Sequence, residues 1–450
     1  MTNLKSISLL SLILSIAILS FANFNIKKWK NFGTIDWDVI GYYDYLPASF
    51  IYHDFYMDFV KTDAKYAEQH MFWPVPAPNG NLVNKYTMGM SIMYAPFFFV
   101  AHLKSQAAHS NPNGFSWYYH KYIHLSCLFY LIIGLVFLRK LLLRWFSEWA
   151  VAVSILAISL GTNLFYYASS EAAMSHAYSF SLSAIFLYSV CKWFELPKWN
   201  YAILIGISLG IMSLIRPINL SFALFPLLYG VHSIKDLQKN ALLFINQYKH
   251  FLGICLIIAL IWLPQLMYWK AVTGSLFYYS YQDERFFFLD PHILLGMFSF
   301  RNGWLIYTPI FIFAIYGMYH LVRTQHSLKW TILGFFIVYS YIVFSWWCWW
   351  YVGFGNRGMI DLYAFLAIPF AAAMGFILNK SLKIKIPILS FVILLILFSQ
   401  FQSWQYRNGM LHFDSMNWNA YKASFGKTKF DDAIKNSLIQ PDYEKAKKGD

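Results

Sequence analysis

Runs of about 17 or more mainly apolar residues recur from one end of this chain to the other. Each run is long enough to cross a hydrocarbon core roughly 30 Å thick as a helix. Charged residues make up only 12% of the sequence, against about 25% in a soluble domain. The sequence therefore predicts an all-α fold, a polytopic transmembrane helical bundle.

We predict about eleven membrane spans, and an uncleaved first helix rather than a secretory signal peptide, although residues 1–24 have features of both. The predicted spans are residues 6–24, 119–138, 149–167, 173–192, 199–215, 218–232, 250–269, 304–322, 329–346, 359–378 and 384–402.

The distribution of lysine and arginine predicts the orientation of the bundle. With the N-terminus in the cytoplasm, the N-terminus and the cytoplasmic loops carry 14 of these cations and the short outer loops carry five, as the positive-inside rule requires. The C-terminus is then outside. The net charge of +14 is spread along loops instead of forming one patch, so it predicts contact with the lipid bilayer and no nucleic-acid partner.

A long first outer loop, residues 25–118, is predicted to carry juxtamembrane helices. Residues 87–103 are apolar, but a span there would invert every later loop, so we expect an interfacial or re-entrant helix. Residues 346–351 (Trp-Trp-Cys-Trp-Trp-Tyr) are expected to form an aromatic belt at the outer interface. Residues 1–402 form the predicted transmembrane domain, and 403–450 a small polar tail on the outer face.

The first outer loop is rich in acidic residues. Seven of the 21 carboxylates lie between positions 36 and 68: Asp36, Asp38, Asp44, Asp54, Asp58, Asp63 and Glu68. On an extended segment Asp36 and Asp38 would face the same side. A carboxylate here could act as a general base toward a hydroxyl or amine, and the alternative is a set of solvated loop acids. Asp38 is the favoured candidate.

A second candidate site lies between the third and fourth predicted spans. Glu171 and His176 stand there at membrane depth, where ionisable residues usually face a polar cavity. They could position a substrate or hold a cation. Alternatively, Ser169 or Ser170 caps a helix and Glu171 is favoured by its dipole.

Three arginines are predicted at or near helix starts on the outer side: Arg216, Arg301 and Arg357. Together they could grip a phosphate through paired hydrogen bonds and helix dipoles. Each one alone could be an interface anchor. Arg357 and Asp361 are four residues apart and could simply pair along one helix.

Motifs of soluble enzymes are missing from the sequence. It contains no GxxxxGK[ST], GxSxG or HExxH, and no soluble region large enough to bind a nucleotide sugar. The four cysteines lie in or beside apolar spans without metal-ligand spacing. Any chemistry is therefore expected at the outer membrane face, with a donor already in the membrane.

Several local motifs, in this order, resemble the GT-C membrane glycosyltransferases, in particular the bacterial branch related to protein mannosyltransferases and lipid A aminoarabinose transferases. The motifs are Asp38 with Tyr42 and Tyr43, Tyr94-Ala95-Pro96-Phe97-Phe98, Ser175-His176, residues 214–219 around Arg216, residues 298–303 around Arg301, and residues 346–357 ending in Arg357. The resemblance covers residues 1 to about 402.

The resemblance implies transfer of a sugar from a polyprenyl-phosphate donor, with inversion, to a lipid, glycan or protein acceptor. It also implies a bacterial-type cytoplasmic membrane with the active site facing outward. Asp38 best matches the catalytic base because it precedes the tyrosine pair by four residues; Asp36 is the competitor. Arg216, Arg301 and Arg357 become candidate clamps for the leaving phosphate, and a divalent metal is used by some members only.

Two other functions fit parts of the sequence. A transporter or flippase of lipid-linked saccharides would place charges in mid-span and show repeat-like halves; here most charge lies at the outer ends. A non-catalytic scaffold would tolerate substitutions in the acidic loop.

Overall fold

The computed structural model describes residues 6–59 and 74–449, and the chain is mostly helical, as predicted. Within these residues the only sheet is a pair of two-residue strands, in which Val75–Pro76 runs antiparallel to Leu82–Val83. The predictions that involve Asp63 and Glu68 lie outside the described residues.

Twelve helices of ten residues or more form the body of the described chain. They are Ile7–Ile26, Gly89–Ala107, Trp117–Leu142, Glu148–Leu160, Ser175–Glu195, Trp199–Ile215, Ile234–Asn246, Tyr248–Thr273, Ile312–Arg323, Lys329–Phe344, Tyr363–Leu378 and Leu382–Arg407. Short helices connect them: Asp38–Tyr43, Tyr45–Pro47, Leu164–Ser169, Leu224–Leu228, Ile293–Phe298, Trp304–Tyr307, Trp418–Ser424, Asp432–Lys435 and Tyr443–Lys448. Tighter 3₁₀ turns occupy Lys28–Asn31, Pro217–Ala223, Pro309–Phe311 and Arg357–Leu362, and a π turn occupies Ala48–Tyr52.

Five helical stretches of the described chain are long and apolar enough to cross a membrane, so this is a multi-pass membrane protein. They are Ile7–Asn31, Trp117–Leu142, Tyr248–Thr273, Arg357–Leu378 and Leu382–Arg407. Shorter apolar helices occupy several of the other predicted spans. The total of eleven spans and the orientation remain predictions.

Several predicted spans are not single α-helices. Residues 149–167 contain a helix that ends at Leu160 and a separate one that begins at Leu164, with Gly161 at the break. The predicted spans 218–232 and 304–322 each include a 3₁₀ turn that starts with a proline, Pro217 or Pro309. Proline fixes its own φ and lacks an N–H, so it suits the first turn of a new segment better than the middle of a helix.

Glycines allow two helix pairs to pack closely. A Cβ on Gly134 would stand 2.6 Å from the Cα of Ser181, and one on Gly317 would stand 1.7 Å from the carbonyl oxygen of Pro369. Neither distance is possible for a larger residue without moving a helix. Small residues permit this close backbone approach between helices. In lipid, where no hydrophobic force drives helices together, the van der Waals packing that results helps to hold them.

The Gly89–Ala107 helix, predicted to be interfacial, packs against the Trp117–Leu142 helix. One face, with Met90, Tyr94 and Phe98, is buried, whereas Leu103 on another face is exposed. Thr87, just before it, donates a hydrogen bond to the carbonyl of Leu214. The first loop is thereby fixed beside the end of the Trp199–Ile215 helix.

The C-terminal region packs on the segment 346–356. The amide of Gly353 donates to the carbonyl of Phe413 at 3.1 Å, and the ring of Tyr443 lies against Trp347 and Trp350. Trp347, Trp349 and Trp350 are buried. The prediction that this tryptophan cluster forms an aromatic belt is therefore wrong for these three rings, because Tyr443 of the tail covers Trp347 and Trp350, and Trp349 stacks on His292.

Candidate functional site

Asp38 is the first residue of the short helix Asp38–Tyr43. The residue before it, Trp37, has φ of +50°, so the chain turns sharply between Asp36 and Asp38. The expectation that the two carboxylates share one face of an extended segment is therefore wrong. Asp36 accepts a hydrogen bond from the neighbouring Trp37 amide at 2.9 Å.

Asp38 is held by two side chains from distant parts of the chain. Arg357 Nη1 donates to Asp38 Oδ2 at 3.0 Å, and the Tyr86 hydroxyl donates to Asp38 Oδ1 at 2.8 Å. The alternative, in which Arg357 simply pairs with Asp361 along one helix, is not what the structure shows. Residues 357–362 adopt a tight 3₁₀ turn, and each of the two side chains has a different partner.

The environment of Asp38 keeps its carboxylate charged. Burial raises the pKa of Asp38, but the positive charge of Arg357 and the hydrogen bonds from Tyr86 and Arg357 outweigh burial, so the pKa lies below its ordinary value. The group is therefore an anion at neutral pH and, in this state, a weak base.

Asp361 forms the second ion pair of the site, with Arg216. Arg216 Nη1 donates to Asp361 Oδ2 at 2.8 Å, and the amide of Asn219 donates to the same oxygen at 3.0 Å. His176 Nδ1 stands 3.6 Å from Asp361 Oδ1. Asp361 was not recognised as a site residue from the sequence. A signal was present, because Asp361 is the one acidic residue within the predicted span 359–378, and an ionisable residue in a span usually faces a polar cavity.

Both ion pairs line the same site. Burial raises the pKa of the Tyr42 hydroxyl, and the charges of Asp38, Arg357 and Arg216 all act on that group. Arg216 also lies over the ring of Tyr351 at 5.6 Å. The structure thus brings together five of the predicted residues: Asp38, Tyr42, His176, Arg216 and Arg357.

The other candidates lie in different surroundings. The Tyr43 hydroxyl donates to the Gly114 carbonyl at 2.5 Å inside an aromatic cluster. Glu171 pairs with Lys28 at 2.5 Å. Arg301 Nη2 donates to the carbonyl of Ile439 at 3.0 Å, and its guanidinium lies over Trp350. None of these contacts involves Asp38.

The capping alternative for residues 169–171 is wrong. The helix that carries His176 begins at Ser175, with Met174 as its cap. Ser169 instead ends the preceding short helix and donates to the carbonyl of Phe165 at 2.7 Å.

Tyr86 and Tyr281 are further site residues that the sequence analysis did not identify. Tyr86 contacts Asp38 directly, and the Tyr281 ring lies 6.2 Å from that of Tyr86. Lys85, next to Tyr86, pairs with Glu284, close to Tyr281 in the chain. An aromatic residue in a loop carries no sequence signal for such contacts.

The side chains of the site are poorly suited to bind a divalent cation. Asp38 and Asp361 each pair with an arginine, and two guanidinium groups beside them would repel a metal ion. Across residues 6–59 and 74–449, no group of three or more His, Cys, Asp or Glu stands close enough to hold one.

Comparison with known proteins shows the fold. Neither a protein-family model nor a curated protein matches the sequence. Among solved structures, the archaeal oligosaccharyltransferase AglB from Archaeoglobus fulgidus, in complex with an inhibitory peptide and a dolichol-phosphate, matches with a TM-score of 0.51 and 12% identity, over 94% of this chain and 58% of that one. The apo form of the Archaeoglobus fulgidus oligosaccharyltransferase gives a TM-score of 0.50 and 13% identity, over 98% and 60%.

AglB is a GT-C superfamily glycosyltransferase. At this level of identity the similarity shows a shared fold. The present chain spans about three fifths of the length of these two proteins.

Proposed function

We propose that this protein is a membrane glycosyltransferase that moves a sugar from a polyprenyl-phosphate donor to an acceptor hydroxyl or amine at the outer face of the membrane. One observation carries the proposal: a charged carboxylate, Asp38, shares a buried site with two guanidinium groups, Arg357 and Arg216. The fold, shared with a membrane glycosyltransferase, supports it.

The reaction would be a single displacement with inversion at the anomeric carbon. The acceptor oxygen or nitrogen bonds to that carbon, its proton passes to Asp38, and the bond between carbon and the phosphate oxygen breaks. The leaving lipid phosphate then carries the negative charge. Arg357 and Arg216 are the groups available to stabilise that charge, which is often the largest contribution to catalysis.

Binding of the donor would also change the basicity of Asp38. A phosphate that attracts Arg357 weakens the ion pair that holds the pKa of Asp38 low. The carboxylate then becomes a better proton acceptor when the donor is present.

A lipid-linked donor fits the membrane setting, because the site lies beside helices apolar enough to span a bilayer. AglB was solved with a dolichol-phosphate and a peptide, which supports a lipid-phosphate donor here. Lipid, glycan and protein acceptors all fit the proposal, as does the bacterial branch of the superfamily that the motifs resemble.

The transporter alternative receives less support from the described residues. Arg357 and Asp361 stand in the first turns of the Arg357–Leu378 stretch, and Arg216 stands directly after a helix end. The paired charges therefore lie near helix ends, where a reaction at the membrane surface needs them, and not at mid-span.

The test is turnover by the purified protein in lipid, supplied with a panel of polyprenyl-phosphate sugars and candidate acceptors. Asp38→Asn should lose turnover, whereas Asp36→Asn, a matched change two residues away, should keep it. Reaction only with soluble nucleotide sugars would overturn the proposal. Full activity of Asp38→Asn would remove Asp38 as the base.

A further inference from the structure

The two ion pairs of the site differ in how accessible their carboxylates are. The Asp38 side chain is 21% exposed, whereas that of Asp361 is 1% exposed. The two arginines are similar, at 18% for Arg357 and 17% for Arg216. A ligand can therefore reach both guanidiniums and Asp38, but not Asp361.

Asp361 is fixed by its surroundings. One of its oxygens accepts from both Arg216 and Asn219, and Tyr339 in turn donates to Asn219 at 3.1 Å. The other oxygen faces His176, which is 97% buried and has no hydrogen-bond partner among the described residues. Taking Asp361 away from Arg216 would leave a buried charge uncompensated, which is strongly unfavourable.

Asp38, unlike Asp361, can give up its arginine to a ligand. Each guanidinium already pairs with one carboxylate, so an incoming phosphate must either share an arginine with its carboxylate or displace that carboxylate. Asp38 can yield Arg357, because it is partly exposed and the Tyr86 hydroxyl still satisfies one of its oxygens. Asp361 has no such freedom.

We infer that Asp361 is a positioning residue, which holds Arg216 toward the donor phosphate, while Asp38 is the exchangeable partner of Arg357. Arg216 thus lies between a fixed anion on one side and the ring of Tyr351 on the other. This inference rests on the proposed function and extends it to the recognition of the lipid phosphate.

The inference predicts that Asp361→Asn weakens donor binding, whereas Asp38→Asn does not. Asp361→Asn releases Arg216 from its position, and the KM for the polyprenyl-phosphate sugar should rise about tenfold, which equals about 1.4 kcal/mol. Asp38→Asn removes a competitor for Arg357, so donor binding should be unchanged or tighter although turnover is lost.

The experiment measures the binding of a polyprenyl-phosphate sugar to the full chain in lipid, and the kcat and KM of each active variant. Asp361→Glu, which keeps the charge, should recover part of the donor affinity. In the double variant of Arg216→Gln with Asp361→Asn, the donor affinity should be no weaker than with Arg216→Gln alone, because Asp361 acts through Arg216.

Asp414→Asn is the matched control. Asp414 is also a buried aspartate, held by Ser415 at 2.6 Å and Tyr443 at 2.6 Å, in the C-terminal region. The Asp414→Asn substitution should lower the unfolding temperature without changing the KM for the sugar donor. If Asp361→Asn folds poorly, the double variant, which carries no uncompensated buried charge, still measures the coupling.

Three results would overturn the inference. The KM of Asp361→Asn could equal that of the wild type, its effect could match that of Asp414→Asn, or the effects of the Arg216 and Asp361 substitutions could simply add. In each case a wild-type protein that uses lipid-phosphate sugars would leave the proposed function intact. A wild type without such turnover overturns both.

Discussion

The pair formed by Asp38 and Arg357 joins residues that stand 319 positions apart. Asp38 comes from the first loop and Arg357 from the start of a late helical stretch, so their contact depends on the complete fold. The same contact gives Asp38 its charge and limits its basicity. In the proposed reaction, the phosphate of the donor would have to loosen this ion pair before Asp38 could accept a proton.

Replacing Arg357 should affect turnover strongly. We expect Arg357→Gln to lower kcat/KM for a polyprenyl-phosphate sugar by about 10²–10³-fold, the usual loss when one charge-stabilising donor is removed. Steady-state kinetics in lipid would measure it. Arg323→Gln is the control, since Arg323 is exposed at the end of the Ile312–Arg323 helix, and it should keep near-normal kinetics; equal losses in the two variants would contradict the prediction.

The low pKa of Asp38 predicts a dependence of stability on pH. A carboxylate whose pKa is lower in the folded state stabilises the fold above its ordinary pKa, and this contribution is lost as the pH falls through the folded-state value. Wild type should therefore be more stable than Asp38→Asn at neutral pH. The difference should shrink below pH about 4. Thermal unfolding of both proteins across pH would show it, and a constant difference would be evidence against it.

At the scale of the elements, a close contact between two helices restricts which residue can occupy a position more tightly than hydropathy does. We expect Gly317→Ala to destabilise the protein by about 1–3 kcal/mol, because the new methyl group would overlap the Pro369 carbonyl. Gly334→Ala is the matched control. Its Cβ would meet only the Leu228 side chain at 3.9 Å, so its stability should stay within about 1 kcal/mol of wild type. Unfolding in one detergent would compare the two.

The sequence predicted the helical class and the loop that carries Asp38, because apolar run length and acidic clustering are local properties. The sequence did not predict the contacts that depend on the local backbone conformation. Trp37 has a positive φ, so the chain turns between Asp36 and Asp38. Residues 357–362 form a 3₁₀ turn, and Arg357 and Asp361 have different partners there. Asp361, an acidic residue within a predicted span, could have been recognised, but its partners could not, since they come from the Arg216 turn and the His176 helix.

At the scale of the whole molecule, the orientation in the membrane is testable. In a variant without the native cysteines, Asn111→Cys in the first loop should react with a membrane-impermeant maleimide on intact cells. Lys239→Cys, in the basic segment before the Tyr248–Thr273 helix, should react only after permeabilisation. Both positions are exposed in the structure. The reverse pattern would invert the predicted topology.

The hydrogen bond from Gly353 to the carbonyl of Phe413 has a consequence for biosynthesis. The ribosome delivers the chain from the N-terminus, and early parts fold first. The segment that leads into Arg357 gains this contact only after residue 413 has emerged, when the helices up to Leu382–Arg407 have already been made. A nascent chain would therefore insert its helices into the membrane before the segment next to Arg357 gains this contact.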